Sequence, residues 1–211
     1  MTTAERSDPE FMSRALALAE RARGLTSPNP LVGAVVVSGG EVIGEGYHRR
    51  AGAPHAEVEA LAVAGERARG ATLYVSLEPC VHQGRTPPCV PLVLEARVRR
   101  VVVALQDPNP LVNGRGIEAL SEAGCEVAVG CMADAARDQN RAFLVYMAER
   151  RPLVTLKAAM TLDGKIAAWD GSSRWITGEA ARLLVHRMRS ESDAVAVGIG
   201  TVLQDDPELT V

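Results

Sequence analysis

His55 and Glu57 stand two residues apart, and Pro79-Cys80 and then Cys89 follow them downstream. An imidazole and two thiolates are three good ligands for Zn²⁺. Three protein ligands leave the fourth tetrahedral position to water, the layout of a catalytic rather than a structural zinc site. Such a site brings the pKa of its water down to about 7, so hydroxide is available at neutral pH. Glu57 is then the proton carrier, taking the water's proton and delivering it to the reacting group, and it must stay outside the metal shell. A structural zinc knuckle, or two buried thiols beside an unrelated histidine, would use the same residue types. A closed site, however, needs a fourth ligand and has no use for Glu57.

The order His-x-Glu, then Pro-Cys and a second cysteine, is that of the zinc-dependent nucleobase deaminases. The short form of that pattern has Cys-x-x-Cys, whereas here eight residues, Val81 to Pro88, separate Cys80 from Cys89. They read Val-His-Gln-Gly-Arg-Thr-Pro-Pro, a Gly- and Pro-punctuated loop that carries His82 and Arg85 beside the metal. Those donors suit an anionic group, because Arg grips phosphate oxygens in a planar fork. Solvated turn residues are the plain alternative.

The elements that must position these groups follow from periodicity. Phe11 to Arg23 has apolar residues at helical spacing (Met12, Ala15, Leu16, Ala19) and Gly24 stops it. Leu31–Val37 and Glu41–Gly46 are strands joined by the hairpin signal Ser38-Gly39-Gly40. A helix begins at His55, with Val58, Leu61 and Ala62 inward and Gly65 near its end. His55 and Glu57 do not share a helix face, so they can converge only at the first turn, where free N–H groups and the helix dipole favour negative charge. Ala71–Leu77 is a strand delivering Cys80, and a helix starting near Pro88 carries Cys89 in its first turn. Arg100–Leu105 and Glu126–Gly130 are strands, Gly116–Ala123 a helix, and Ala133–Glu149 one long helix. This alternation predicts an α/β sandwich, parallel beyond the first hairpin, with the metal site where helix N-termini meet strand ends. Pro152 marks a boundary between residues 1–150 and 151–211. Beyond it come a strand Leu153–Ala159, a turn at Asp163-Gly164, a helix Glu179–Arg189 and a strand Asp193–Val197. The last runs into Gly198-Ile199-Gly200-Thr201, where backbone N–H groups could approach a phosphate. It is not a dinucleotide fingerprint, since Leu203 stands where the third glycine belongs.

Composition fits a soluble cytoplasmic enzyme. At 211 residues and 47% hydrophobic content the chain can bury one substantial core and part of a second. A net charge of −3 argues against a polyanion partner. Aromatic content of 3% is too sparse for the stacked platform of a single-strand binder. No apolar stretch approaches the roughly 18 residues of a membrane span, and Met1 to Glu10 is polar rather than a leader. Cys125 and Cys131 are expected to be free thiols in a reducing compartment.

Several stretches resemble one family closely: Asn29-Pro30-Leu31-Val32-Gly33, Glu78-Pro79-Cys80, Gly84-Arg85-Thr86-Pro87-Pro88-Cys89, Gln106-Asp107-Pro108-Asn109-Pro110, and Leu156-Lys157 through Lys165. They are similar to the bifunctional riboflavin biosynthesis deaminase–reductases and span almost the whole chain. Position 81 departs, being Val81 where relatives carry a small polar residue. The resemblance implies a three-layer cytidine-deaminase-like zinc domain in 1–150. After it, in 151–211, it implies the first part of a dihydrofolate-reductase-like α/β domain that uses NADPH. It implies zinc on His55, Cys80 and Cys89, Glu57 as catalytic residue, and Asn29, His48, His82, Arg85, Asp107 and Asn109 around a phosphorylated pyrimidine. It further implies NADPH contacts at Ala159, Trp175, Thr201 and Asp205. Reductase substrate contacts fall at Lys157, Ser173, Thr177, Arg189 and Leu209. Read alone, Trp175 would be core packing and Arg189 a solvated helix end. The implied reaction is deamination of 2,5-diamino-6-ribosylamino-4(3H)-pyrimidinone 5′-phosphate, then reduction of ribosyl to ribityl. A free base, nucleoside or tRNA deaminase, or a non-catalytic zinc module, are the rivals. The expected partners are the small-molecule substrate and further copies of the chain in a dimer or tetramer, with no nucleic acid or membrane. Because relatives continue past position 211, reductase activity is expected to be absent from these residues alone.

Overall fold

The computed structural model describes residues 3–211, with side chains from Asp8 onward. The stretch read as a polar N-terminus begins at Met1 and Thr2, which lie outside the described residues. Two compact units are present, one up to Leu153 and one from Val154 to Val211.

In the first unit the strands are β1 (Gly33–Ser38), β2 (Glu41–Tyr47), β3 (Thr72–Val75), β4 (Arg100–Val103) and β5 (Glu126–Val129). They form one sheet in the order β2-β1-β3-β4-β5. β1 is antiparallel to both β2 and β3, whereas β3, β4 and β5 are mutually parallel. The β1–β2 turn uses Gly39 and Gly40 at φ +59° and +84°, as a tight primed hairpin turn demands.

Both faces of the sheet are covered, and strand alternation sorts the side chains between two cores. Ala34, Val36, Leu73, Val75, Val101 and Val103 face one layer of helices, α2 (Ala56–Ala64), α3 (Cys89–Glu95) and α4 (Arg115–Glu122). Val35, Val37, Tyr74 and Val102 face the other, where Met12, Ala15 and Leu16 of α1 (Thr3–Glu20) and Ala136 of α5 (Ala133–Gln139) close the core. The result is the expected three-layer sandwich. Within α2 the buried side chains are Ala56, Glu57, Ala60, Leu61 and Ala64, while Ala62 points to solvent.

Three expectations need correction. α1 starts well before Phe11 and runs through Pro9, because Asp8 is anchored to the sheet: Arg100 donates twice to its carboxylate at 2.8 Å, and the Tyr74 hydroxyl donates once at 2.8 Å. The long helix 133–149 is two, α5 and α6 (Arg141–Glu149). Asn140 breaks it by turning its amide onto the Leu31 backbone, accepting from Leu31 N at 2.8 Å and donating to Leu31 O at 2.9 Å. At the start of the second unit and within it, residues 153–159 and 193–197 form no strand. No neighbouring strand takes up their backbone groups, which a ladder requires. This unit holds α7 (Glu179–Ser190) and α8 (Ile199–Asp205), and none of its residues is buried.

Candidate metal centre and active site

The site begins with a close approach of helix to sheet. Gly44 and Gly46 share one face of β2, and α2 lies on them through Ala56, Ala60 and Ala64. A Cβ on Gly46 would fall 2.4 Å from the Ala56 carbonyl oxygen, and one on Gly44 2.2 Å from that of Ala60. This contact sets the N-terminus of α2, where His55 is the N-cap and Glu57 lies in the first turn, 3% exposed. Cys89 opens α3 and is fully buried. Cys80 follows β3 through Leu77-Glu78-Pro79. Its carbonyl accepts from Cys89 N and Val90 N at 3.1 and 3.2 Å, which closes the 81–88 loop at its base.

The three expected ligands converge. Nδ1 of His55 is 3.1 Å from Cys89 Sγ and 3.5 Å from Cys80 Sγ, and all three donor atoms lie within 4.8 Å of one another. Tetrahedral zinc with ordinary Zn–N and Zn–S bonds separates its ligand atoms by about 3.6 Å, so the spacing and the borderline-soft donors fit that ion. The acid–base state of the sulfurs agrees. The Cys89 thiol, with help from His55, holds Cys80 down to about 4. The neighbouring Cys80 sulfur and burial push Cys89 up. A dication is what allows both to be thiolates. Glu57 stands beside this set without joining it, and burial pushes its carboxyl up.

A cavity of about 440 Å³ opens on the centre, and all six expected substrate residues line it: Asn29, His48, His82, Arg85, Asp107 and Asn109. His48 is buried, its Nδ1 3.0 Å from the Pro54 carbonyl and its Nε2 3.0 Å from the Asn29 amide nitrogen. That is the pattern of a neutral ring donating from Nδ1 and accepting at Nε2, and burial accordingly lowers its pKa. Nδ1 of His82 is buried with no hydrogen-bond partner among the described residues, an orphan polar atom that a ligand group can satisfy. Arg85 is exposed at the cavity mouth. Burial pushes Asp107 up to about 6. Its carboxylate also accepts from Asn109 N at 2.8 Å, so the turn role and the cavity role coexist. Val81 does not line the cavity; it packs against the core.

Four contributions were not anticipated. The Glu78 carboxylate, 4% exposed, accepts from four backbone N–H groups, those of Asp107, Gly114, Gly116 and Ile117. It ties the cysteine-bearing segment to the loop that presents Asp107 and Asn109. Asn140 holds Leu31, two residues from Asn29, in the same way. Thr86 lies against His55, its Oγ1 3.1 Å from Nε2. Phe143, Tyr146 and Met147 of α6 supply an apolar wall to the cavity. Glu78 and Thr86 belong to the motifs already singled out. The others left no signal except the apolar run Phe143 to Met147.

The residues expected to serve a reductase all lie in the second unit. Lys157, Ser173, Trp175, Thr201 and Asp205 are exposed, while Ala159, Thr177, Arg189 and Leu209 are partly covered. Arg182 stacks over the Trp175 ring at 4.3 Å and donates to the Thr177 carbonyl at 2.7 Å. Thr201 and Asp205 sit on α8, whose N-cap is Gly198.

Comparison with known proteins follows the same division. Residues 5–105 match the cytidine and deoxycytidylate deaminase zinc-binding region, and residues 152–211 match the RibD C-terminal domain. Riboflavin biosynthesis protein RibD of Aquifex aeolicus is 54% identical over 204 residues, covering 97% of this chain and 57% of that protein. Acinetobacter baumannii RibD superposes with a TM-score of 0.92 at 51% identity, over 97% of this chain and 57% of that one. The deaminase/reductase of Thermotoga maritima gives 0.92 at 45% identity, over 97% and 59%. The chain thus spans a little over half the length of the relatives it matches.

Proposed function

The chain belongs to the RibD family of riboflavin biosynthesis proteins, and from that premise we propose that residues 1–150 are a zinc-dependent pyrimidine deaminase. The substrate is 2,5-diamino-6-ribosylamino-4(3H)-pyrimidinone 5′-phosphate and the product 5-amino-6-ribosylaminouracil 5′-phosphate. The observation that carries this reading is the convergence of His55, Cys80 and Cys89 at ligand spacing, with Glu57 buried beside them and outside the ligand set. When bound, zinc supplies Lewis-acid activation of water. Glu57 takes one proton from the attacking water and gives it to the ring nitrogen; as the resulting C–OH becomes the carbonyl, Glu57 takes the hydroxyl proton and gives it to the amine, which departs as ammonia. Water adds at the carbon bearing the 2-amino group and ammonia leaves. Burial raises the Glu57 carboxyl, which favours a group that gives back the proton it has accepted. Asn29, oriented by His48, and Asp107 and Asn109 hold the edges of the heterocycle. His82 and Arg85 take the phosphate tail, with the orphan Nδ1 of His82 and the exposed Arg85 as support.

For residues 151–211 we propose a share in NADPH-dependent reduction of the ribosyl chain. Ala159, Trp175, Thr201 and Asp205 would lie toward the cofactor, and Lys157, Ser173, Thr177, Arg189 and Leu209 toward the substrate. The match to the RibD C-terminal domain supports this reading. We further propose a cytoplasmic homo-oligomer. Among the described residues no helix is long and apolar enough to cross a membrane, and light scattering of the purified chain tests the assembly. The deaminase is tested by ammonia release from the phosphorylated pyrimidine, with and without a chelator, in wild type and Glu57→Gln. Zinc retained with turnover lost is expected of the variant. Turnover undiminished by the substitution refutes the role of Glu57.

A further inference from the structure

We infer that Thr86 is a positioning residue of the metal centre, fixing the His55 ring so that Nδ1 faces the two sulfurs. The inference rests on reading His55, Cys80 and Cys89 as the zinc ligands.

An imidazole that ligates through one nitrogen carries its hydrogen on the other, and that N–H needs an acceptor if the ring is to stay in place. Nδ1 is the nitrogen turned to Cys80 and Cys89. Nε2 is therefore the nitrogen that must donate, and Thr86 Oγ1 lies 3.1 Å from it. The neighbouring His48 ring stands edge-on at 5.5 Å between centroids. It cannot serve, because both its nitrogens are engaged by Asn29 and Pro54.

Thr86 is itself held. Its carbonyl accepts from Gly84 N at 3.2 Å, Pro87 and Pro88 stiffen the chain behind it, and the loop is pinched shut at Cys80 and Cys89. A two-residue spacer between the cysteines would have no chain with which to reach back over His55. The eight-residue separation does. The loop thus completes the metal centre in addition to presenting His82 and Arg85 to the cavity.

The test is zinc affinity of the full chain, read by competition with a chromophoric chelator, for wild type, Thr86→Val, Thr86→Ala, Thr86→Ser and His55→Ala. Valine keeps the shape and removes the acceptor. Outer partners of metal-bound histidines typically contribute about 10–100-fold in metal affinity. The Val and Ala variants should weaken zinc binding by that factor, and Ser should return to within a few-fold of wild type. Circular dichroism of each apo variant reports the fold independently of metal. Val and Ala variants that hold zinc as tightly as wild type overturn the role of Thr86 and leave the site intact. Ser weakened as much as Val overturns it too, since the loss would then follow loop shape rather than the hydroxyl. A wild-type chain that takes up no zinc, or a His55→Ala chain that takes it up unchanged, overturns the site and the role together.

Discussion

Replacing Glu78 by Gln should cost more stability than any other single-atom change near the cavity. The two carboxylate oxygens accept from Asp107 N and Gly114 N at 3.1 and 2.9 Å, and from Gly116 N and Ile117 N at 2.8 and 3.3 Å. Glutamine keeps one oxygen and turns the other into a donor. Two N–H groups then lose their acceptor, each at about 1–3 kcal/mol when buried. Gly116 and Ile117 stand in the first turn of α4, so the lost charge also removes a favourable helix-terminus interaction of about 0.3–1 kcal/mol. The sum is about 2–7 kcal/mol, a large part of the roughly 5–15 kcal/mol that holds a domain folded. Urea denaturation of Glu78→Gln should show an unfolding free energy lower by that amount, seen as a lower midpoint at unchanged slope. Because Asp107 and Asn109 hang on the same loop, KM for the phosphorylated pyrimidine should rise in whatever fraction stays folded. An unfolding free energy within about 0.5 kcal/mol of wild type, the range of an ordinary surface substitution, would falsify the assignment of Glu78 as the anchor of this loop.

Two further outcomes are expected. Burial alone would raise the Asp8 carboxyl, but bonds from Arg100 and Tyr74 and the Arg100 charge bring it below its ordinary 3.8. A folded-state value below the unfolded one adds stability that is present above the unfolded pKa and lost as pH falls through the folded one. Asp8→Asn should therefore flatten the acid limb of a stability–pH profile below about pH 4, and cost about 1.5–3 kcal/mol at pH 7 for the charge-assisted bonds that Arg100 loses, Glu126 remaining 2.9 Å from its guanidinium. An acid limb identical to wild type contradicts this. Gly46→Ala places a Cβ 2.4 Å from the Ala56 carbonyl, so α2 must shift. A loss of about 1–3 kcal/mol together with weaker zinc binding is expected; unchanged values for both would mean that α2 does not rest on Gly46.

The candidate metal centre was legible because His55, Cys80 and Cys89 sit in short motifs whose residue types have few other uses. His55 and Glu57 flank one helix start, and Cys80 and Cys89 frame one loop. The sheet was legible because β1, β3 and β4 are short, nearly continuous apolar runs, as strands buried on both faces are. Long-range bonds made by polar side chains were not legible. Asn140 breaks a continuous helical pattern for the sake of Leu31, 109 positions away. Asp8 holds a turn around Pro9 for the sake of Arg100, 92 positions away. The apolar runs 153–159 and 193–197 carry strand composition, but a strand is a property of pairs, and neither has a neighbour in the second unit. His48 lines the cavity as expected, but that its two nitrogens meet Asn29 and Pro54 could not be read from the sequence.

The most direct measurement is X-ray absorption at the zinc edge of the metal-loaded chain. Two sulfurs at about 2.3 Å, one nitrogen at about 2.0–2.1 Å and one further light atom are expected, with the nitrogen lost in His55→Ala. Four protein donors around the ion, or a shell that His55→Ala leaves unchanged, would contradict a hydrolytic centre built on these three side chains.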